Sequence, residues 1–169
     1  MSLLRPSPVL PTVDFDRDGV QHGFLRLPYS RDDSAWGSVM IPIAVIRNGE
    51  GPTALLTGAN HGDEYEGPIA LFDLARTLDP AKVRGRVIIV PAMNYPAFRA
   101  GTRTSPIDKG NLNRSFPGRP DGTVTEKIAD YFHANFYLTT SGNFRTQTLI
   151  DAILEIGADR ILFSVDWPF

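Results

Sequence analysis

A histidine and a glutamate, His61 and Glu64, lie three residues apart in the segment GANHGDEYEGPIAL at 58–71. An imidazole nitrogen and a carboxylate oxygen are both good zinc ligands, and a catalytic zinc needs about three protein ligands plus an open position for water. The pair therefore supplies two ligands of a candidate zinc site. Because the chain contains no cysteine, any further ligand has to be a histidine or a carboxylate.

The elements around this pair place it in a loop. An apolar run predicts a buried strand over 54–57, and a proline-initiated pattern predicts a helix over 68–78. Open α/β sheets bind their ligands beyond the carboxyl ends of strands, which is where this loop lies. A continuous apolar run predicts a second strand over 86–91, covered on both faces. The long segment at 92–122, rich in Pro, Gly, Asn and Arg, is predicted to be a functional loop.

The rest of the pattern gives an α/β fold class. The first 38 residues are rich in Pro, Asp, Gly and Ser. Edge strands are predicted at the short apolar stretches 23–27 and 39–46, which lie within and after this region. A helix is predicted to begin at 123–125. The later elements are a strand at 136–139, a helix at 145–156 and a strand at 160–165.

Composition excludes some classes of partner. With 169 residues, 42% apolar and 21% charged, the chain resembles an ordinary soluble domain. A formal net charge of −2 gives no electrostatic case for nucleic acid or an anionic membrane surface. No apolar run approaches the roughly 18 residues of a membrane span. The first residues, MSLLRPSPVLP, are too short an apolar stretch for a secretory signal, so we expect a cytoplasmic location.

Three sequence blocks resemble one known family. They are GANHGDEYEGPIAL at 58–71, PAMNYPAFRAGTRTSPID at 91–108 and NLNRSFPGRPDGT at 111–123. In this order and spacing they resemble the succinylglutamate desuccinylase/aspartoacylase family over residues 14–125, which implies a zinc-carboxypeptidase-like mixed sheet with flanking helices. Within that family, LRLPYSRDDSAWG and IPIAVIRNGEGPT are most similar to N-acetyl-diaminobutyrate deacetylases of ectoine breakdown, which use zinc.

The resemblance assigns roles to five residues. It implies that His61 and Glu64 hold zinc, the expected cofactor. It implies that Arg103, Asn113 and Arg114 hold the carboxylate of a small N-acylated amino acid and polarise its scissile carbonyl, with Arg103 as the catalytic group. A guanidinium clamp suits a carboxylate, and a developing oxyanion needs a fixed cation. Without the resemblance, these arginines are better explained as loop residues that bind backbone carbonyls.

The chain departs from the family pattern after residue 125. Residues 135–169 resemble instead the amidohydrolase-type hydroxybenzoate decarboxylases, in which the residue corresponding to Asp166 is a metal ligand. The sequence therefore predicts a chimeric or truncated chain. Residues 1–125 would be the N-terminal part of a zinc deacylase-like domain, and 126–169 a grafted β-α-β segment that packs on it.

Neither the family's third zinc ligand nor its glutamate base has a recognisable counterpart, which leaves three candidates for the ligand. His22 is expected on a surface strand, and His133 is expected in an exposed helical pair with Asp130. Asp166 follows a buried run. If the strand at 160–165 docked in parallel beside the strand at 86–91, Asp166 would lie on the same rim as His61.

The predicted function is thus zinc-dependent hydrolysis of a small N-acyl amino acid, impaired by the missing ligand and base. Two alternatives stay open: a non-catalytic α/β domain that at most binds metal or a small carboxylate, and a fragment of a metal-dependent decarboxylase. Cutting the family's sheet would leave an exposed strand edge, through which the chain could self-associate.

Overall fold

The computed structural model describes residues 7–135, 138–139, 150 and 161–162. Its elements in chain order are β1 (Leu10–Pro11), β2 (Gly19–Pro28), β3 (Ser38–Asn48), β4 (Thr53–Thr57), α1 (Glu66–Thr77), β5 (Gly85–Val90), α2 (Tyr95–Ala100), α3 (Val124–Asn135), β6 (Leu138–Thr139) and β7 (Ile161–Leu162). Single 3-10 turns lie at Pro80–Lys82 and Leu112–Arg114. Within the described part of the chain, no helix is long and apolar enough to cross a membrane.

Five strands form one mixed sheet in the order β1-β2-β3-β5-β4. The pairs β1–β2, β2–β3 and β3–β5 are antiparallel, and the pair β4–β5 is parallel. Parallel neighbours need a crossover connection, and the segment that contains α1 supplies it. The predicted α/β fold class, with a mixed sheet and flanking helices, is confirmed.

The predictions of edge strands over 23–27 and 39–46 were both wrong, because β2 has β1 on one side and β3 on the other. Strand β3 is central. It lies between β2 and β5, with Ala44 opposite Ile89 and Ile46 opposite Val87. Its run IPIAVI faces both layers: Ile43 and Val45 pack on the side of α3, whereas Ala44 and Ile46 pack on the side of α1. A strand covered on both faces carries such a continuous apolar run.

Helices cover both faces of the sheet. On one face the buried side chains are Leu25, Leu27, Ile43, Val45 and Ile88 of the strands with Ile128, Ala129 and Phe132 of α3. On the other they are Ala44, Ile46 and Ile89 with Ala75 of α1, flanked by Leu71 and Leu74. Burying a large aliphatic or aromatic side chain stabilises the fold by roughly 1.5–3 kcal/mol. These two layers fix the rim on which the candidate site lies.

The segment predicted as one long loop at 92–122 contains α2 and the turn at Leu112–Arg114. The Asn94 side chain caps α2, since its Oδ1 accepts a hydrogen bond from the Ala97 amide at 3.4 Å. Gly101 ends the helix in the left-handed region at φ 63°, where a glycine carries no steric penalty. This short helix lies against the loop that carries His61.

Asp108 anchors the start of α3. Its carboxylate accepts hydrogen bonds from the Thr125 amide and hydroxyl, both at 2.7 Å, and from the Gly110 amide at 3.0 Å. Burial alone would raise the pKa of Asp108, but these hydrogen bonds lower it below the ordinary value of 3.8. A carboxylate at a helix N-terminus is also favoured by the helix dipole.

Replacing Asp108 by asparagine should lower the free energy of unfolding at neutral pH by about 1–3 kcal/mol, because a charged acceptor of three donors is lost. Since the folded-state pKa lies below 3.8, the carboxylate stabilises the fold above that pH and ceases to do so as the pH falls through the folded value. Urea unfolding at neutral pH and at about pH 3 should therefore show a difference that shrinks on acidification. Asp73→Asn, which removes an exposed ion pair with Arg76, is the control and should change stability by less than ~1 kcal/mol.

The strands after α3 do not join the five-stranded sheet. Strands β6 and β7 pair parallel in a sheet of their own, with Leu138 opposite Ile161. Strand β5 already has β3 on one side and β4 on the other, so the strand predicted over 160–165 cannot lie beside it. That docking hypothesis is wrong, and Asp166 itself lies outside the described residues. The predicted helix over 145–156 is described only at Ile150.

Strand β4 is an edge of the five-stranded sheet, with β5 as its neighbour. Self-association through that edge stays a prediction. Within the segment 126–169, α3 packs on the sheet, and the packing of the part that follows α3 stays a prediction.

Candidate metal and substrate site

The loop between β4 and α1 carries the His61/Glu64 pair. Backbone hydrogen bonds tie this loop to the chain around the end of β5: the Gly58 amide donates to Val90 at 3.1 Å, and the Asn94 amide donates to Ala59 at 3.0 Å. Ala59 has a φ of 47°, a left-handed conformation that is uncommon for a residue with a side chain. The loop is thereby fixed at the carboxyl ends of the parallel strands β4 and β5, as the sequence pattern predicted.

His61 is buried, with 7% of its surface exposed, and an oxygen atom faces each of its ring nitrogens. Nδ1 lies 3.0 Å from Glu64 Oε1, and Nε2 lies 3.1 Å from Asn111 Oδ1. A neutral imidazole has one N–H and therefore one donor. When Nε2–H donates to Asn111 Oδ1, Nδ1 carries a lone pair that faces Glu64 Oε1, which is also an acceptor. A cation bound to both Nδ1 and Oε1 would satisfy the two acceptors.

The geometry of this pair fits a metal ion. Zinc bonds to His and Glu of about 2.0–2.2 Å place two ligand atoms of a tetrahedral ion about 3.3 Å apart, close to the separation of His61 Nδ1 and Glu64 Oε1. The Glu64 side chain is 55% exposed, so the pair opens toward solvent. Within the ranges that the structure describes, no group of three or more His, Asp and Glu side chains could hold a metal.

Arg103 lies beside the pair. Its Nη1 is 3.4 Å from Glu64 Oε1 and 4.0 Å from Asp63 Oδ1. The Arg103 side chain is 57% exposed, so its guanidinium is accessible to a ligand in solvent. A fixed positive charge at this place can stabilise negative charge that develops on an acyl oxygen.

Asn113 and Arg114 lie in the 3-10 turn at Leu112–Arg114, and both are exposed. Leu112 is fully buried and anchors the turn in the core. The Asn113 Oδ1 accepts a hydrogen bond of 3.1 Å from Asn60 Nδ2, which brings this side chain to the residue that precedes His61. The turn thus places the Asn113 amide next to the loop that carries His61 and Glu64, with Arg114 as the following residue of the same turn.

Two residues of the site, Asn60 and Asn111, received no role from the sequence. Asn60 contacts Asn113 and Asn111 contacts His61, so each links the loop after β4 to the segment before α3. Their position in the sequence could have indicated a role, because both lie inside the motif blocks and each is within two residues of an assigned residue. Nothing in their type or spacing shows which partner they contact.

The other two histidines belong to no metal-ligating group among the described residues. His22 is exposed on β2, as expected, and lines an apolar cavity of about 240 Å³ with Phe24 and Phe72. His133 and Asp130 are half-buried rather than exposed. Burial raises the pKa of Asp130, Asp121 adds to that effect, and His133 opposes it.

Residues 50–140 match the succinylglutamate desuccinylase/aspartoacylase catalytic domain, and the chain belongs to that family. The N-alpha-acetyl-L-2,4-diaminobutyric acid deacetylase of Halomonas elongata is 71% identical over 128 residues, which cover 76% of this chain and 37% of that enzyme. The product-bound ectoine utilization protein EutE (DoeB) from Ruegeria pomeroyi is 76% identical, with a TM-score of 0.76 over 78% of this chain and 40% of that one. The chain thus spans about two fifths of the length of these relatives.

A second similarity concerns a different enzyme. The gamma-resorcylate decarboxylase of Polaromonas sp. is 80% identical over 50 residues, which cover 30% of this chain and 15% of that enzyme. Both resemblances that the sequence indicated are therefore confirmed.

Proposed function

We propose that His61 and Glu64 bind a zinc ion and that the site serves hydrolysis of the amide bond of a small N-acyl amino acid. The observation that supports this most is the buried imidazole, whose Nδ1 faces the Glu64 carboxylate at 3.0 Å with Arg103 alongside. The deacetylase activity of the Halomonas elongata relative supports N-acetyl-L-2,4-diaminobutyrate as the substrate to test first.

Each polar group has a place in this proposal. When bound, zinc supplies a Lewis acid for the acyl carbonyl and lowers the pKa of water. Arg103 offsets negative charge on the acyl oxygen. Arg114 and Asn113 hold the carboxylate of the ligand, because a guanidinium and an amide N–H both donate to carboxylate oxygens.

We further propose that hydrolysis by this chain is impaired. Among the described residues no third ligand joins His61 and Glu64, and two ligands hold zinc less tightly than the usual three or four. Hydrolysis also needs a carboxylate that acts as general base for the attacking water. The carboxylates nearest Arg103 are Asp63 and Glu64, and Glu64 is already assigned to the metal, so it is not free to act as that base. The second candidate function is therefore binding without catalysis, in which the site takes up metal and a small carboxylate.

The two functions are separated by measuring bound zinc and released acetate on the same preparation. A hydrolase should hold one zinc per chain and release acetate from N-acetyl-L-2,4-diaminobutyrate, at a rate that a chelator abolishes. A binding domain should hold zinc and bind the amide without releasing acetate. A chain that binds neither zinc nor the amide would contradict both proposals.

Replacing Arg103 by alanine should weaken the binding of the amide ligand but not the binding of zinc. Arg103→Ala should weaken binding of N-acetyl-L-2,4-diaminobutyrate to the zinc-loaded chain by about tenfold, the equivalent of one charge-assisted hydrogen bond. Zinc itself should bind equally or more tightly, because a cation 3.4 Å from Glu64 Oε1 no longer competes for that oxygen. Isothermal titration calorimetry measures both affinities.

Arg119→Ala is the matched control, since Arg119 is an exposed arginine that faces Asp121 at 3.7 Å. It should change neither affinity. Equal losses of zinc and amide affinity in Arg103→Ala would instead mean that Arg103 holds the loop together rather than binding the ligand.

A further inference from the structure

We infer that Asn60 is a positioning residue, which fixes the side-chain amide of Asn113 so that its N–H groups face the ligand. Asn60 Nδ2 lies 3.1 Å from Asn113 Oδ1. Asn60 is half-buried in the loop after β4, whereas Asn113 is exposed at the opening of the site. The inference rests on the proposed function, in which Asn113 binds the carboxylate of an N-acyl amino acid.

An asparagine amide has an accepting end and a donating end, so its orientation decides which ligand it can bind. The Oδ1 of Asn113 is occupied by the hydrogen bond from Asn60. Its Nδ2 therefore keeps two N–H donors for the ligand. An ionised carboxylate only accepts hydrogen bonds, so this orientation favours a carboxylate, and the reverse orientation would oppose it.

The buried end of Asn60 supports this orientation. Its Oδ1 is shielded from solvent and has no hydrogen-bond partner in the part of the chain that the structure describes. Turning both amides around would preserve the contact between them but would place the Asn60 NH2 group at that shielded position. A buried N–H group without an acceptor is rarer in proteins than an unsatisfied carbonyl oxygen. The observed pairing is therefore the more stable one.

The position of Asn60 gives this contact a further consequence. Asn60 immediately precedes His61, so one loop sets both the metal ligand and the orientation of the carboxylate-binding amide. Asn113 lies 53 residues further along the chain. The contact thus aligns two separate segments around one ligand.

The test uses Asn60→Asp, which keeps the shape of the side chain but leaves it able only to accept. The Asn113 amide should then turn its Nδ2 toward position 60 and its Oδ1 toward the ligand. Calorimetry at saturating zinc would compare N-acetyl-L-2,4-diaminobutyrate with its α-carboxamide, which can donate. The ratio of the two affinities should shift toward the carboxamide by about tenfold or more. Asn60→Ala, which leaves Asn113 free to rotate, should shift the ratio by only a few-fold.

The added charge of Asn60→Asp would also repel a carboxylate directly, so the comparison is repeated in an Asn113→Ala background. If Asn60 acts through Asn113, the shift should largely disappear there, as a double-mutant cycle requires for coupled residues. A shift that persists without Asn113, or an unchanged ratio in Asn60→Asp, would overturn the inference. A wild-type chain that binds both ligands equally would instead refute the carboxylate site of the proposed function.

Discussion

Replacing His61 by alanine should lower zinc affinity by at least about a hundredfold. Loss of a residue that only hydrogen-bonds to a metal ligand costs about 10- to 100-fold, and loss of a ligand itself should cost more. His61 is the buried member of the pair, and its Nδ1 lies 3.0 Å from Glu64 Oε1. Without the imidazole, the metal would be left with one exposed carboxylate, and a single carboxylate does not hold zinc against water. Competition with a chromophoric chelator measures the affinity.

His22→Ala is the control for this experiment. His22 is an exposed histidine on β2, so its loss removes an imidazole without touching the loop after β4. Zinc affinity should stay at the wild-type value. If the two variants lost affinity to the same extent, zinc would be bound by scattered surface histidines, and His61 and Glu64 would not form a site.

The parts of this site that the sequence predicted are those in which local spacing decides the geometry. His61 and Glu64 lie three residues apart in one loop, so their contact follows from a short stretch of chain. The position of Arg103 beside them depends on a contact between residues 39 apart in the sequence, and only the family resemblance anticipated it. The pairing of Asn60 with Asn113 had no such support, because side-chain amides in loops have many possible partners.

The fold shows the same difference between features that local sequence decides and features that depend on distant contacts. The apolar runs over 54–57 and 86–91 correctly predicted strands, but only β5 is covered as a continuous apolar run suggests. The prediction of a buried strand over 54–57 was wrong, because β4 is an edge strand whose residues are exposed or half-buried. The place of β3 was mispredicted because the order of strands in a sheet depends on partners that are distant in sequence. Its antiparallel partner β5 begins 37 residues after β3 ends, with the crossover of β4 and α1 between them. For the same reason, the hypothesis that the strand at 160–165 docks beside the strand at 86–91 was wrong. The sequence does not show that both sides of β5 are already paired.

Replacing Gly62 by alanine should destabilise the fold and weaken binding at the proposed zinc site. A Cβ at this buried position would lie 2.1 Å from the carbonyl carbon of Ala97 and 2.4 Å from the amide nitrogen of Phe98. Both atoms belong to the backbone of α2, which cannot move aside as a flexible side chain could. Overpacking of this kind costs about 1–3 kcal/mol or more, so urea unfolding should show a clearly lower midpoint. Zinc affinity should fall as well, because any shift of the loop moves the adjacent His61.

Gly67→Ala is the matched substitution without the clash. Gly67 is the second residue of α1, and the nearest heavy atom to its added Cβ would be 3.8 Å away. Alanine is a better helix former than glycine and restricts the unfolded chain, so stability should rise by up to about 1 kcal/mol, with zinc affinity unchanged. The two variants add the same methyl group five residues apart, so opposite signs of the stability change would locate the effect in the contact with α2. Equal effects would mean that the loop of His61 does not lie against α2, and the rigid support of the metal ligand would then have to come from elsewhere.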